Sequence, residues 1–582
     1  MADYRITELT HLLRTGNLSR RQFVQRSSAI GLSLTAITSI LAGDAGAAPV
    51  ASRRTRASYQ VDATTLVVTD ITGAAGGKWL TLDPTWFYEI EPASAMYLIY
   101  DTLYHIPDAN APGDAQPLLA EGLPEFSEDG LTATIKIKQS VKFAKSGNPM
   151  TAADWIFSWN RLKNTGYQGS FLAIDYWTEV VAVDDFTLQL ALPSPNAALA
   201  SLLTSLPLAV TDSVRVKELG GTDAAPAEAV DANSIKAEED DTAATISGDT
   251  VGTGPYMCTQ WDIESEVILE INPEFWGEAG PIQRVIYSNS ADANTELQKV
   301  QLGDADVATH LNADQVETVK GDTNLQLLTG PTLAIEYIGL NVTEEKGGPL
   351  AMKEVRQAIA HAIDYDAFIN DILSGAADRP ASPVPYGLLG AEAVRSKRYT
   401  LDLTKAQELW DASGVGDQEV EIIYTSDGSA AGGVTYETLA VKVQSDLQQI
   451  KGLTIKLTPL IGTDRIARYR AGDFQMTISP WTPDYPDVDS FAAPFGRTGT
   501  AAAKRVGYSD PEVDALLDQG ISELDPTKRE AIYVAIQEKL VDAAAFLVLY
   551  QPLDQRPARA TVSGVTTHSV YQLALRGASK SA

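Results

Sequence analysis

A single cysteine, Cys258, stands in a chain of 582 residues. One thiol closes no intrachain disulfide and leaves no cysteine cluster for zinc or an iron–sulfur centre. The core must therefore hold the fold unaided, with Cys258 expected as a buried, inert thiol. Histidine is also scarce. His11, His105, His310, His361 and His568 are widely spaced, and none has a second histidine at metal-binding spacing. His361 falls on a helical stripe and reads as a packed or exposed helical residue. No metal and no cofactor is expected. Basic residues are outnumbered, 45 Lys and Arg against 76 Asp and Glu, for a formal net charge of -31. Such a surface repels nucleic acid and anionic headgroups, so neither is expected as a partner. Nucleophile-elbow, phosphate-loop and dinucleotide fingerprints are lacking. With so many acids, a glycosidase-like carboxylate pair carries no information, and a hydrolase is left only as a remote reading.

What is present begins with an export pattern. Ser19-Arg20-Arg21-Gln22-Phe23-Val24 is a twin-arginine sequence, with Arg5, Arg14 and Arg26 adding charge around it. A mildly apolar run from Ala29 to Ala42 follows, too short and too rich in Ser, Thr and Gly to span a bilayer. Ala45-Gly46-Ala47 offers small residues for a peptidase, and cleavage is expected near Ala47. Residues 1–47 read as a signal peptide and 48–65 as a linker. No cysteine follows the cleavage site to carry a lipid.

The mature chain mixes strands and helices throughout. Leu66-Val67-Val68 reads as a buried strand. Leu131, Ala133, Ile135 and Ile137 alternate with polar residues, as do Phe186, Leu188, Leu190 and Leu192, and Val267, Leu269 and Ile271. A period of two marks half-buried strands. Thr151-Ala152-Ala153-Asp154 can form a capping box before a helix carrying Trp155, Trp159 and Leu162. Val355, Ile359, Ala362 and Ile363 lie at helical spacing. Asp402 can cap another helix, and Asp510-Pro511 and Asp525-Pro526 each set a cap before a first-turn proline. Residues 220–250, with Glu238-Glu239-Asp240-Asp241, read as a solvated acidic insertion. The class is α/β, or mixed α+β.

At Gly252-Thr253-Gly254-Pro255-Tyr256 the chain resembles the extracytoplasmic solute-binding proteins of peptide and nickel ABC importers, the large three-domain type. Further segments match in order: Leu82-Asp83-Pro84, Ile99-Tyr100-Asp101-Thr102-Leu103, Pro117-Leu118-Leu119-Ala120-Glu121, Val141-Lys142-Phe143, Gly339-Leu340-Asn341, and Trp481-Thr482-Pro483-Asp484-Tyr485-Pro486-Asp487. The glycines at 252 and 254 are expected to adopt backbone angles closed to other residues.

The resemblance implies two lobes joined by crossing strands, with an extra domain on the first. Lobe I would comprise 66–103, 251–337 and 549–582, the extra domain 104–250, and lobe II 338–548. Ligand would sit between the lobes. The resemblance further implies a peptide cargo, membrane permease subunits as partners, an extracytoplasmic or periplasmic location and a monomer. An oligosaccharide or a nickel chelate is the alternative cargo, and an enzyme or chaperone on the same fold is a third reading.

In peptide-binding members the acid of a W-x-x-D pattern pairs with the peptide's α-ammonium, which puts Trp481 and Asp484 on the cleft, with Tyr485 and Thr482 as neighbours. Trp79 is a further candidate, because the loop from Gly73 borders the cleft in relatives. Those members also hold the ligand carboxylate with an arginine. The matching stretch here, Tyr424 to Val434, contains no basic residue.

Overall fold

The computed structural model describes residues 63–72, 79–88, 91–225 and 243–581. The export pattern, the loop from Gly73 to Lys78 and most of the acidic insertion lie outside the described residues.

The organising element is a 12-stranded mixed sheet. Its path runs Leu453–Leu460, Gln418–Thr425, Met476–Trp481, Ile335–Leu340, Phe546–Arg559, Val307–Ala308, Thr65–Asp70, Arg284–Asn289, Glu266–Ile271 and Tyr256–Asp262. Phe546–Arg559 is 14 residues long and spans both halves. Its start pairs antiparallel with Ile335–Leu340, and its end pairs with Leu325–Pro331. Parallel pairing occurs on each side, between Thr65–Asp70 and Arg284–Asn289, and between Gln418–Thr425 and Leu453–Leu460. Parallel strands are covered on both faces by helices and read as continuous apolar runs. Leu66, Val67 and Val68 fit, all being buried.

A separate four-stranded antiparallel sheet contains Thr132–Lys136 and Thr187–Ala191. Ala133, Ile135, Ile137, Leu188 and Leu190 face its core, whereas Leu131, the first residue of the alternating run, is 40% exposed. The helix Ala152–Thr165 starts with the expected capping box, in which Asp154 accepts from the Thr151 amide at 2.8 Å. Trp155, Trp159 and Leu162 are buried on one face. Asp402, Asp510 and Asp525 each cap the helix that follows. The last helix buries Tyr533 and Gln537 beside Ile536 and Leu540, while Ile532 and Ala535 are half-buried.

Two family motifs gain a physical reason. Asp83 caps a short helical turn at Pro84 and receives a fully buried, two-pronged contact from Arg161, at 2.8 and 2.6 Å. Gly252 and Gly254 are not in the left-handed region. Any Cβ there would instead lie 2.3 Å from the Ile99 carbonyl oxygen or 2.5 Å from that of Leu98. Close backbone approach, not an unusual turn angle, demands glycine at both positions. Cys258 is buried, and burial pushes its thiol up to about 12, so it is inert at neutral pH.

Candidate functional site

A cavity of about 660 Å³ opens where the sheet's two halves meet. That is within the order of 300–1,000 Å³ that holds small ligands. Segments from both sides line it. Phe87 and Tyr88, residues 309–313 and 568–570 come from one side; residues 429–433 and 482–486 come from the other. The long strand Phe546–Arg559 contributes 552–556 along the floor.

Of the sequence-predicted residues, Thr482, Asp484 and Tyr485 line the cavity. They sit in the turn after the strand Met476–Trp481, and the turn is anchored on both flanks. Asp487 takes a buried, two-pronged contact from Arg529 at 2.7 and 2.9 Å. The Tyr485 hydroxyl accepts from Tyr176 at 3.2 Å, and its ring packs into the core of the 104–210 region. The turn is thereby held while Asp484 is left facing the cavity. The Tyr88 hydroxyl donates to Asp484 Oδ1 at 2.7 Å, across the cavity. The Asp484 side chain is exposed to the open cavity, and partial desolvation by the surrounding wall raises its carboxyl above its ordinary value, with the Tyr88 hydrogen bond pulling the other way. Among the described residues no cation pairs with it.

Trp79 and Trp481 do not line the cavity. Trp79 is buried against Tyr287 and Trp261, and its indole donates to Asp70 Oδ2 at 3.1 Å. Adjacent residues in a strand point to opposite faces. Trp481 ends its strand packed against Phe495, with a buried indole N–H that has no acceptor among the described residues.

Sequence reasoning missed His310 on the cavity wall and the buried acids that hold the lining segments in place. Glu336, opposite Pro480 in the sheet and next to a bulge, is fully buried. Its Oε1 accepts from the Ala431 amide at 2.9 Å, while the Tyr550 hydroxyl donates to the Ala431 carbonyl at 3.0 Å. These contacts pin the lining segment Ala431-Gly432-Gly433. Burial raises the Glu336 carboxyl to about 8.

On the opposite wall, Glu296 is fully buried and its Oε2 accepts the amides of Thr309 and His310 at 3.0 and 2.9 Å. The His310 ring donates from Nδ1 to Glu296 Oε1 at 2.9 Å, with Asp70 Oδ1 at 3.8 Å. Asp70 is raised to about 6, chiefly by burial, with His310 opposing. The donor atoms of Asp70, Glu296 and His310 lie within 4.8 Å of one another. Every carboxylate oxygen there already accepts from protein, so the set reads as an ion-paired imidazole. These residues carry no sequence signature, because Asp70, Glu296 and His310 meet only through the parallel strands.

A family model for bacterial extracellular solute-binding proteins, family 5 (middle), matches residues 114–503. The chain belongs to that family. Its members are binding proteins that act outside the cytoplasm in ABC import. A curated relative, the probable D,D-dipeptide-binding periplasmic protein of Escherichia coli (strain K12), is 26% identical over 488 residues, covering 83% of this chain and 89% of that one. The structure of HbpA2 from Haemophilus parasuis superposes with a TM-score of 0.77 at 24% identity, covering 89% of this chain and 100% of that one. The dipeptide binding protein from Pseudoalteromonas sp. SM9913, in complex with Met-Leu, gives 0.68 at 19% identity, with 89% and 100% covered. At these identities the two structures establish the shared fold.

Proposed function

We propose that this solute-binding protein captures a peptide, of two or more residues, in the cavity lined by Tyr88 and Asp484 and delivers it to the membrane permease of an ABC importer. The observation that supports this most is Asp484 itself. It is a solvent-accessible carboxylate on the cavity wall, with a hydroxyl partner and no cation among the described residues. An unpaired carboxylate in such a place gains most from a compact cation, which a peptide α-ammonium supplies. Thr482 and Tyr485 are its neighbours at the ligand. The D,D-dipeptide relative and the Met-Leu complex agree with a peptide cargo. An oligosaccharide would gain from tryptophan faces to stack on, and no tryptophan is among the lining residues.

We further assign the lobes as 66–103 with 251–337 and 549–582, against 338–548, with 104–250 as the extra domain. The chain acts as a monomer and not as an enzyme, after export by the twin-arginine route.

The test is to purify the mature protein natively, denature it, and identify released molecules by mass spectrometry. Peptides should appear, and Asp484→Asn should weaken their binding by roughly 10- to 100-fold, the worth of one hydrogen bond between charged groups. A released sugar or metal chelate, or peptide binding indifferent to Asp484→Asn, would overturn the reading.

A further inference from the structure

Three residues lining the cavity can carry positive charge: His310, Arg556 and His568. Arg556 is already committed. Its Nε donates to Asp554 at 2.9 Å, one terminal nitrogen donates to the Thr309 carbonyl, and the other to Gln572 at 2.5 Å. His568 is neutral. Its Nδ1 accepts two backbone amides at 3.1 Å, its Nε2 donates to the Ile106 carbonyl at 3.0 Å, and burial holds it down at about 4. His310 differs from both. Its Nδ1 is fixed by Glu296, its side chain is 40% exposed, and its Nε2 has no hydrogen-bond partner among the described residues.

We propose that the His310 imidazolium receives the acidic group of the ligand through Nε2, on the wall facing Asp484, in place of the arginine that the 424–434 segment lacks. This rests on the peptide reading above and names the group that recognises the other end of the ligand. The placement follows from the sheet order. Asp484 follows the strand Met476–Trp481 and His310 follows Val307–Ala308, with Ile335–Leu340 and Phe546–Arg559 between them. The two residues therefore reach the cavity from opposite sides. Glu296 orients the ring, and a buried carboxylate behind an imidazole keeps it charged and fixes which nitrogen faces out.

The charged groups facing the ring are Glu296 and Asp70 behind it and Arg556 beside it. Asp484, Asp554 and His568 line the same cavity. Burial opposes the charged ring, but the hydrogen bond and charge of Glu296, with Asp70, outweigh it and raise its pKa. His310 therefore keeps its charge to higher pH than an ordinary imidazole and loses it as pH rises further.

The experiment offers the intact mature protein a pool of short synthetic peptides with free carboxyl termini, mixed with the same peptides as C-terminal amides. Retained species are quantified by mass spectrometry at about pH 6 and about pH 9. The acid-to-amide ratio cancels the titration of the peptide amine, which both pools share. Acids should be preferred by roughly 10- to 100-fold at the lower pH, and the preference should shrink at the higher. His310→Gln should abolish the preference at both. The wild-type pH comparison tests the proposal even if that variant does not fold. Equal retention of acids and amides at the lower pH would overturn His310 as the receiver and leave the peptide reading standing. Retention of neither pool would overturn both.

Discussion

The two walls of the cavity hold their presented groups in opposite ways. On the 482–486 wall the anchors are remote from the presented acid. Arg529 grips Asp487, Tyr176 meets Tyr485, and the Asp484 carboxylate takes only the Tyr88 hydroxyl. The 429–433 segment beside it is likewise pinned from behind, by Glu336 and Tyr550 at Ala431. On the 309–313 wall the anchor and the presented group are one assembly. Glu296 binds the backbone of residues 309 and 310 and the ring of His310 together. The first wall can change its chemistry with little loss of shape, because the Asp484 carboxylate holds only the Tyr88 hydroxyl. The second cannot, because the charge on His310 and the path of its chain depend on the same buried carboxylate.

The sharpest way to break this comparison is at the remote anchor. Asp487→Ala should strand the Arg529 guanidinium in a buried site and cost about 3–5 kcal/mol, read as a lower midpoint in urea. Ligand binding should fall with it as the turn loosens. A stability loss under about 1 kcal/mol would mean that Asp487 does not anchor the turn.

A smaller effect concerns Glu336. Its folded pKa, about 8, lies above the ordinary carboxyl value. Between the two values the folded chain holds a proton that the unfolded chain has released, so this group's contribution to stability falls as pH rises through that window. Above the folded value it falls no further. Glu336→Gln keeps the amide acceptor and removes the titration. It should flatten the decline of Tm between about pH 5 and about pH 8. An unchanged decline would place the proton elsewhere.

The smallest effect is expected at Trp481. Trp481→Phe removes a buried N–H that has no acceptor and keeps the ring against Phe495. Stability should change by less than about 1 kcal/mol, with peptide affinity untouched. A marked loss of affinity would return Trp481 to the ligand.

Local patterns were legible in the sequence because their causes are local. Alternation identified Thr132–Lys136 and Thr187–Ala191, and acid–proline pairs identified the helix starts at Asp510 and Asp525. The ordered motifs carried the family and, with it, the turn that bears Asp484. The reason for Gly252 and Gly254 was not legible, because it lies in the carbonyls of Leu98 and Ile99, more than a hundred residues away. Trp79 shows the same limit. Its apolar ring suited either a cleft or a core, and only the packing of Tyr287 and the carboxylate of Asp70 decide for the core.

The sequence by itself thus determined the class, the family and one acid of the cleft, since these rest on periodicity and on contiguous motifs. Tertiary structure alone decided which charges are spent and which are available. Arg556 and His310 look alike as isolated basic residues. One is consumed by Asp554, Thr309 and Gln572, while the other lines the cavity with Nε2 unpartnered among the described residues. That difference arises from partners brought together by long-range strand pairing, and charge availability follows the partners rather than the residue type.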